Sequence, residues 1–368
     1  EIQCRRDSDC NRFEGGDCSL YAPSGKHWCT YPDLTCPSER RWSDLDVGDG
    51  LEATCVAVAF DAGLDGAIDA GTSDGSMDAS GDGAVPSLVD RHDFNGDGYA
   101  DVVVGAPASG EAGRVYVYFG GPGGVAATPA GVLEGAQVVG SFGQAVAAAG
   151  DVNGDGFGDI IAGDIGDWSN GEAGAAYLYF GAAGGVFDPI ADDLIVGVTA
   201  ADYFGAAVAA AGDVNRDGFA DVVIGATEND AGGTGAGRVY VFHGSSAGAA
   251  ATAARALTGA AAGDHLGVSV ASAGDVNGDD YSDIVVGADG NDAGGSFAGR
   301  AYVYLGGPGG IGATAAGTAT GAAAGDHFGS SVASAGDVNG DGFADVVVGA
   351  FLNDAADTGA GRAYVYLG

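Results

Sequence analysis

From residue 85 onward the chain alternates short apolar runs with polar turns and never settles into a helical period. Runs such as Val102-Val-Val104, Val222-Val-Ile224, Ile284-Val-Val286 and Val346-Val-Val348 are β-branched and end at Gly-Ala, the composition of buried strands. Further along, Arg114-Val-Tyr-Val-Tyr118 and Arg362-Ala-Tyr-Val-Tyr366 alternate with period two, as does Ser331-Val-Ala-Ser-Ala335 ahead of the last apolar run. A weaker segment, such as Arg255-Ala-Leu-Thr-Gly259, closes each set. The pattern predicts an all-β chain with four short strands per unit.

The units repeat. An acidic loop precedes each apolar run, starting at residues 93, 151, 213, 275 and 337, in steps of 58, 62, 62 and 62. Short strands recurring at such a period, with small residues throughout, predict the blades of a propeller. The last loop reads Asp337-Val-Asn339-Gly-Asp341-Gly342-Phe343-Ala-Asp345. Side-chain oxygens stand at positions 1, 3, 5 and 9, glycine sits at position 6 where the chain turns, and position 7 offers its carbonyl. Such an oxygen set suits a hard cation, and Ca²⁺ takes about 6–8 oxygens. The candidate ligands are Asp93, Asn95, Asp97, Tyr99 and Asp101; Asp151, Asn153, Asp155, Phe157 and Asp159; Asp213, Asn215, Asp217, Phe219 and Asp221; Asp275, Asn277, Asp279, Tyr281 and Asp283; and Asp337, Asn339, Asp341, Phe343 and Asp345. The aromatic at position 7 enters through its backbone carbonyl alone. An EF-hand or dockerin begins with the same residues, but no acid stands at position 12, and a β-branched strand follows where those motifs need an amphipathic helix.

Phe142-Gly143, Phe204-Gly205, Leu266-Gly267 and Phe328-Gly329, the acidic loop, and the following Val-Val-Val-Gly-Ala together resemble the FG-GAP repeat of integrin α-subunit β-propellers and of many secreted bacterial proteins. The resemblance covers residues 85–368. It implies a calcium-binding β-propeller of four-stranded blades, with the loop joining the first and second strands and one Ca²⁺ per repeat, about five in all. Several positions depart from the pattern. The first unit lacks Phe-Gly, Arg216 takes position 4 of the third loop, Asp280 takes position 6 of the fourth, and Ala175-Ala176 stands where other units place an arginine. Propellers of this family usually have seven blades, whereas 284 residues at 62 per unit give about 4.6. The fifth unit stops after its third strand.

Composition narrows the function. The net charge of −38 repels nucleic acid and anionic membrane surfaces. Five Ca²⁺ on fifteen loop aspartates would leave −28, still a large excess. No apolar run approaches the ~18–20 residues of a membrane span. The chain does not begin with Met, and reads as starting at a processed N-terminus.

All six cysteines, Cys4, Cys10, Cys18, Cys29, Cys36 and Cys55, fall in the first 55 residues. They predict a small disulfide-rich segment over 1–60 and an oxidising compartment. A zinc module is the weaker reading, because no C-x₂-C pair exists and His27 is the only histidine there. Residues 61–84, almost all Asp, Ala, Gly and Ser, read as a solvated tether, and 85–368 as the propeller.

An incomplete fifth blade exposes a strand edge. The apolar stretch Glu52–Phe60 is the candidate to close it, either within one chain, which would give a self-closed five-bladed ring, or by donation to the next molecule of a surface fibre.

His265 and His327 recur before Leu-Gly or Phe-Gly, and repeat equivalence gives them a packing or turn role. Arg114, Arg238, Arg300 and Arg362 are also periodic, and are expected to pair with nearby carboxylates. No nucleophile with a base and no H-E-x-x-H is found, so the chain reads as non-enzymatic. The expectation is a secreted or cell-surface extracellular protein, of bacterial type by the resemblance. Its partners would be copies of itself or an extracellular protein or glycan, and its role structural assembly or, alternatively, adhesion.

Overall fold

The computed structural model describes residues 3–4, 17–21, 26–31, 41–42, 92–110, 112–135, 141–166, 173–185, 190–355 and 357–368. The chain divides into two compact units, Glu1–Ile68 and Asp69–Gly368. In the first, β1 (Gln3–Cys4), β2 (Asp17–Tyr21), β3 (Lys26–Tyr31) and β4 (Arg41–Trp42) form one antiparallel sheet. The β2–β3 register sets Cys18 opposite Cys29. The tether 61–84 and the stretch Glu52–Phe60 lie outside the described residues.

The second unit is a succession of antiparallel sheets, one per repeat. The second blade is β8 (Ala145–Gly150), β9 (Asp159–Asp164), β10 (Ala175–Tyr179) and β11 (Asp193–Val196). The third is β12 (Phe204–Gly212), β13 (Asp221–Ala226), β14 (Arg238–Phe242) and β15 (Arg255–Thr258), and the fourth is β16 (Val270–Gly274), β17 (Asp283–Ala288), β18 (Arg300–Tyr304) and β19 (Gly317–Thr320). Two blades show three strands each among the described residues: the first, β5 (Val102–Ala106), β6 (Arg114–Tyr118) and β7 (Gly131–Glu134), and the fifth, β20 (Phe328–Gly336), β21 (Asp345–Ala350) and β22 (Arg362–Tyr366). The residues that would open the first blade, 85–91, are outside the described set. This is the sequence-predicted propeller of FG-GAP-type blades.

The apolar core lies between blades. Alternation sends odd and even residues of each central strand to opposite faces, so every blade has one face toward its predecessor and one toward its successor. Val115 and Val117 of the first blade pack with Ile160, Ala162, Tyr177 and Tyr179 of the second. Val239 and Val241 of the third meet Ile284 and Val286 of the fourth. Three of the four seams are pinned by the Phe-Gly or Leu-Gly of the later blade: Phe142, Leu266 and Phe328 donate backbone N–H bonds to the carbonyls of Ala112, Ala236 and Ala298 at 3.1, 2.9 and 3.0 Å. The approach is so close that a Cβ on Gly113, Gly174, Gly237 or Gly299 would collide with the backbone of Phe142, Phe204, Leu266 or Phe328 respectively. Small residues at these points are a packing requirement.

Candidate metal centre

All five acidic loops have one geometry, built from their own side chains. The aspartate at position 1 accepts two to four backbone N–H bonds: Asp151 takes those of Gly154 (2.6 Å), Asp155 (3.0 Å) and Gly156 (2.9 Å), and Asp275 takes four. The position-3 asparagine donates its Nδ2–H to the position-5 carboxylate, as Asn339 does to Asp341 at 2.7 Å. That carboxylate accepts the N–H of position 7, as Asp341 does from Phe343 at 3.0 Å. These are the local Asp and Asn turns that compete with regular structure.

Position 9 does something different. Asp101, Asp159, Asp221, Asp283 and Asp345 are buried. Each clamps two places at once. Asp159 Oδ2 accepts from Val152 N at 2.7 Å and Oδ1 from Gly181 N at 2.9 Å, so the loop is tied to the exit of the third strand. The same pair of bonds recurs in every blade, through Gly120, Gly244, Gly306 and Gly368. Burial pushes Asp159, Asp221 and Asp283 up to about 7, against the lowering effect of those amide bonds. Asp101 is raised for the same reason. In the last loop the position-1 carboxylate goes the other way: amide bonds, that of Gly342 foremost, hold Asp337 below the usual carboxylate range.

The loops are also strung together. The carbonyl of position 1 accepts the N–H of position 8 in the next blade, from Gly158 to Asp93 (2.9 Å), Ala220 to Asp151 (2.9 Å), Ser282 to Asp213 (3.1 Å) and Ala344 to Asp275 (2.9 Å). The position-7 ring covers the position-4 glycine of the loop before it: a Cβ on Gly96, Gly154 or Gly278 would strike Phe157, Phe219 or Phe343. In the third loop Arg216 replaces that glycine with φ 58°, and in the fourth Asp280 sits at φ 67°. The two departures meet, Arg216 Nη1 lying 2.9 Å from Asp280 Oδ2.

The donor set fits a hard cation by its chemistry. It is oxygen only, three carboxylates and a carboxamide within nine residues, and one carboxylate per loop is buried without a cationic partner among the described residues. The loops close on their own hydrogen bonds here, and no three acidic, cysteine or histidine side chains are gathered as an ion cage among the described residues.

A second repeated device escaped the sequence reading. Buried Asp202, Asp264 and Asp326 accept hydrogen bonds from the side chains of Asn229 (2.6 Å), Asn291 (3.0 Å) and Asn353 (2.8 Å). Both series step by 62 residues, a signal present in the sequence and unused. It ties the turn before Phe-Gly to the loop after the second strand.

His265 and His327 occupy that turn with φ of 54° and 51°, in keeping with a turn role. Their Nδ1 atoms lie 3.4 and 3.2 Å from the two oxygens of Asp289. The arginine series needs a correction. Arg114 does pair with a carboxylate, Glu134, at 2.7 Å. By contrast, Arg238, Arg300 and Arg362 lie over the rings of Tyr240, Tyr302 and Tyr364 at 5.3, 5.8 and 5.7 Å, because the tyrosine two residues on projects from the same face of the strand.

The FG-GAP repeat family model matches residues 93–118, 204–242, 266–304 and 328–366. The chain carries FG-GAP repeats. The second blade, unmatched, has the same sheet order and the same loop bonds, so its departures at Ala175-Ala176 leave the FG-GAP architecture intact. Similar proteins include integrin alpha-3 of Cricetulus griseus, 34% identical over 52% of this chain and 18% of that protein. Integrin alpha-7 of Homo sapiens is 29% identical over 72% and 20%, and integrin alpha-4 of Xenopus laevis 30% over 51% and 18%. The matched region thus spans about a fifth of these relatives' length.

Proposed function

We infer that this FG-GAP propeller is a non-enzymatic extracellular module, stiffened by calcium, that works by binding or assembly. The observation that carries this reading is the belt of five oxygen-only loops, hydrogen-bonded one to the next. Asp, Asn and Asp at positions 1, 3 and 5, the position-7 carbonyl and the position-9 aspartate would hold the ion in each loop. Bound Ca²⁺ supplies positive charge to carboxylates that otherwise repel one another. The chain's own contribution is to hold the loop in shape and tie it to the third strand through the position-9 aspartate. Similarity to integrin α-chains supports an extracellular adhesion or ligand-binding role, with protein or glycan as partner. Residues 1–60 and 61–84 are assigned as a cysteine-rich segment and a tether.

Calorimetry in calcium and in excess chelator tests the cation reading. A ligand at a hundred times its Kd adds about 2.7 kcal/mol per site, so chelation should lower Tm substantially. An unchanged melt would overturn it. Alanine at Asp155 or Asp341 should reduce the number of ions bound per chain by one, counted by equilibrium dialysis.

A further inference from the structure

We propose that the seam between the second and third blades takes an extended peptide segment, added as a further strand along the outer edge of β11, with a bulky apolar side chain in the cavity beside it and a lysine or arginine against Asp193. The cavity, about 360 Å³, lies between β11 and the outer part of the third blade, and is lined by Ile195, Phe204, Tyr240, Phe242 and Ala249. Asp193 is the one charged residue of its lining. Ligand sites run to roughly 300–1,000 Å³, with apolar walls and a few placed polar groups.

The next seam shows what this one lacks. There Ile311, 1% exposed, packs with Leu257 and Tyr304, the counterparts of Ile195 and Phe242, and Arg255 donates its Nε–H to the Ile311 carbonyl at 2.7 Å. The backbones correspond: Ala250 donates its N–H to the carbonyl of His243 at 2.8 Å, as Gly312 does to Leu305 at 2.9 Å. Asp193 pairs with Leu178 of β10 as Arg255 pairs with Val241 of β14. So Ala249 stands in place of Ile311, and Asp193 in place of Arg255. An isoleucine has given way to a cavity, and a guanidinium to a carboxylate. Asp193 Oδ2 accepts the N–H of Ala249 at 2.9 Å, and no cation faces it among the described residues. The occupant that completes the seam therefore brings an apolar side chain and a positive charge.

The backbone of β11 sets the form of that occupant. β11 ends its sheet, with no strand on its outer side among the described residues. A strand added at such an edge gains main-chain hydrogen bonds, and its alternate side chains supply specificity. Ile195 packs with Phe204 and Phe242 on the cavity side, and Asp193, two residues back, shares that side. Leu194 and Val196, on the other face, are 54% and 57% exposed, where the outer strands of the third and fourth blades carry Ala256, Thr258, Thr318 and Thr320. One added strand serves both faces, an apolar side chain entering the cavity while its neighbours cover Leu194 and Val196. The net charge of −38 draws a basic segment and repels an acidic one, an attraction that salt screens. This inference rests on the reading of the propeller as a binding module, and gives its partner a chemistry.

Fluorescence anisotropy of labelled peptides against the full chain tests it. The first probe has phenylalanine at its centre, valine on either side and lysine at both ends; the second has glutamate in place of lysine. The lysine peptide should bind, less tightly as NaCl rises, and the glutamate peptide should not. Ala249→Ile, which restores the residue of the next seam, should weaken binding by about tenfold or more with a melting curve like that of the wild type. Asp193→Asn should weaken binding of the lysine peptide and reduce its salt dependence. A wild type that binds neither peptide overturns the proposal, and so does equal binding of the two. Binding that is unchanged in Ala249→Ile or in Asp193→Asn overturns it as well, while leaving the chain a binding module whose site lies elsewhere. The cation reading stands or falls separately, since calorimetry tests it without peptide.

Discussion

Asp289 sits between two imidazoles, and the sign of its pH dependence follows from that placement. Burial alone would raise its pKa, but the hydrogen bonds and charges of His265 and His327 hold it below 3.8. His265 is raised above 6.5, first by its bond to Asp289, with Glu228, Asp289 and Asp264 adding charge and burial opposing. A raised histidine contributes stability below its unfolded value and loses it as pH rises through the folded value; a depressed carboxylate contributes above its unfolded value and loses it as pH falls. Both contributions are present between 3.8 and 6.5. Asp289→Asn should therefore cost more unfolding free energy at about pH 5 than at about pH 8, measured by urea denaturation of both proteins at each pH. Equal losses would show that the cluster is only packed. Sequence reading gave the two histidines a packing or turn role but no partner, because Asp289 lies 38 residues from His327. The pairing of Arg216 with Asp280 was hidden similarly: each looked like a lone lapse from glycine, and only stacked loops bring them within 2.9 Å.

Strands were the legible elements. Period-two alternation and β-branched runs marked nearly every one, and in the second to fifth blades the acidic loops fell between first and second strands as expected. What the Phe-Gly dipeptide does was not legible, since its backbone bond reaches into the preceding blade. Phe328 is 1% exposed and packs edge-on against Tyr364 and Tyr366 at 5.3 and 6.2 Å, while its N–H reaches across to Ala298. One residue thus joins the sheet of its own blade to the seam. Phe→Ala in a packed core costs about 3–5 kcal/mol, and Phe328→Ala should fall in that range by equilibrium denaturation. The loss should be local. The fourth-to-fifth seam should open first, so that limited proteolysis cuts after residue 320 while fragments of the second to fourth blades persist. Uniform digestion of all blades would instead mean that the seams melt as one.

At the scale of the whole molecule the stacked seams must hold against charge. Small side chains let the blades approach, yet the chain carries −38, and each loop brings three candidate-ligand aspartates into the belt. Salt screens exposed charges over a Debye length of about 10 Å at 0.1 M and about 3 Å at 1 M. Five filled loops would remove ten units of charge from the belt, leaving −28. Repulsion, and hence the benefit of screening it, should therefore be larger in the cation-free protein. Added NaCl should raise Tm more steeply in chelator than in saturating calcium, and a potassium salt should act as NaCl does, because screening depends on ionic strength and not on ion identity. Parallel slopes in the two conditions would mean that the loops are not where the destabilising charge resides. Their aspartates would then act through the backbone bonds of Asp159 and its equivalents alone, as ties between loop and sheet that need no ion to hold.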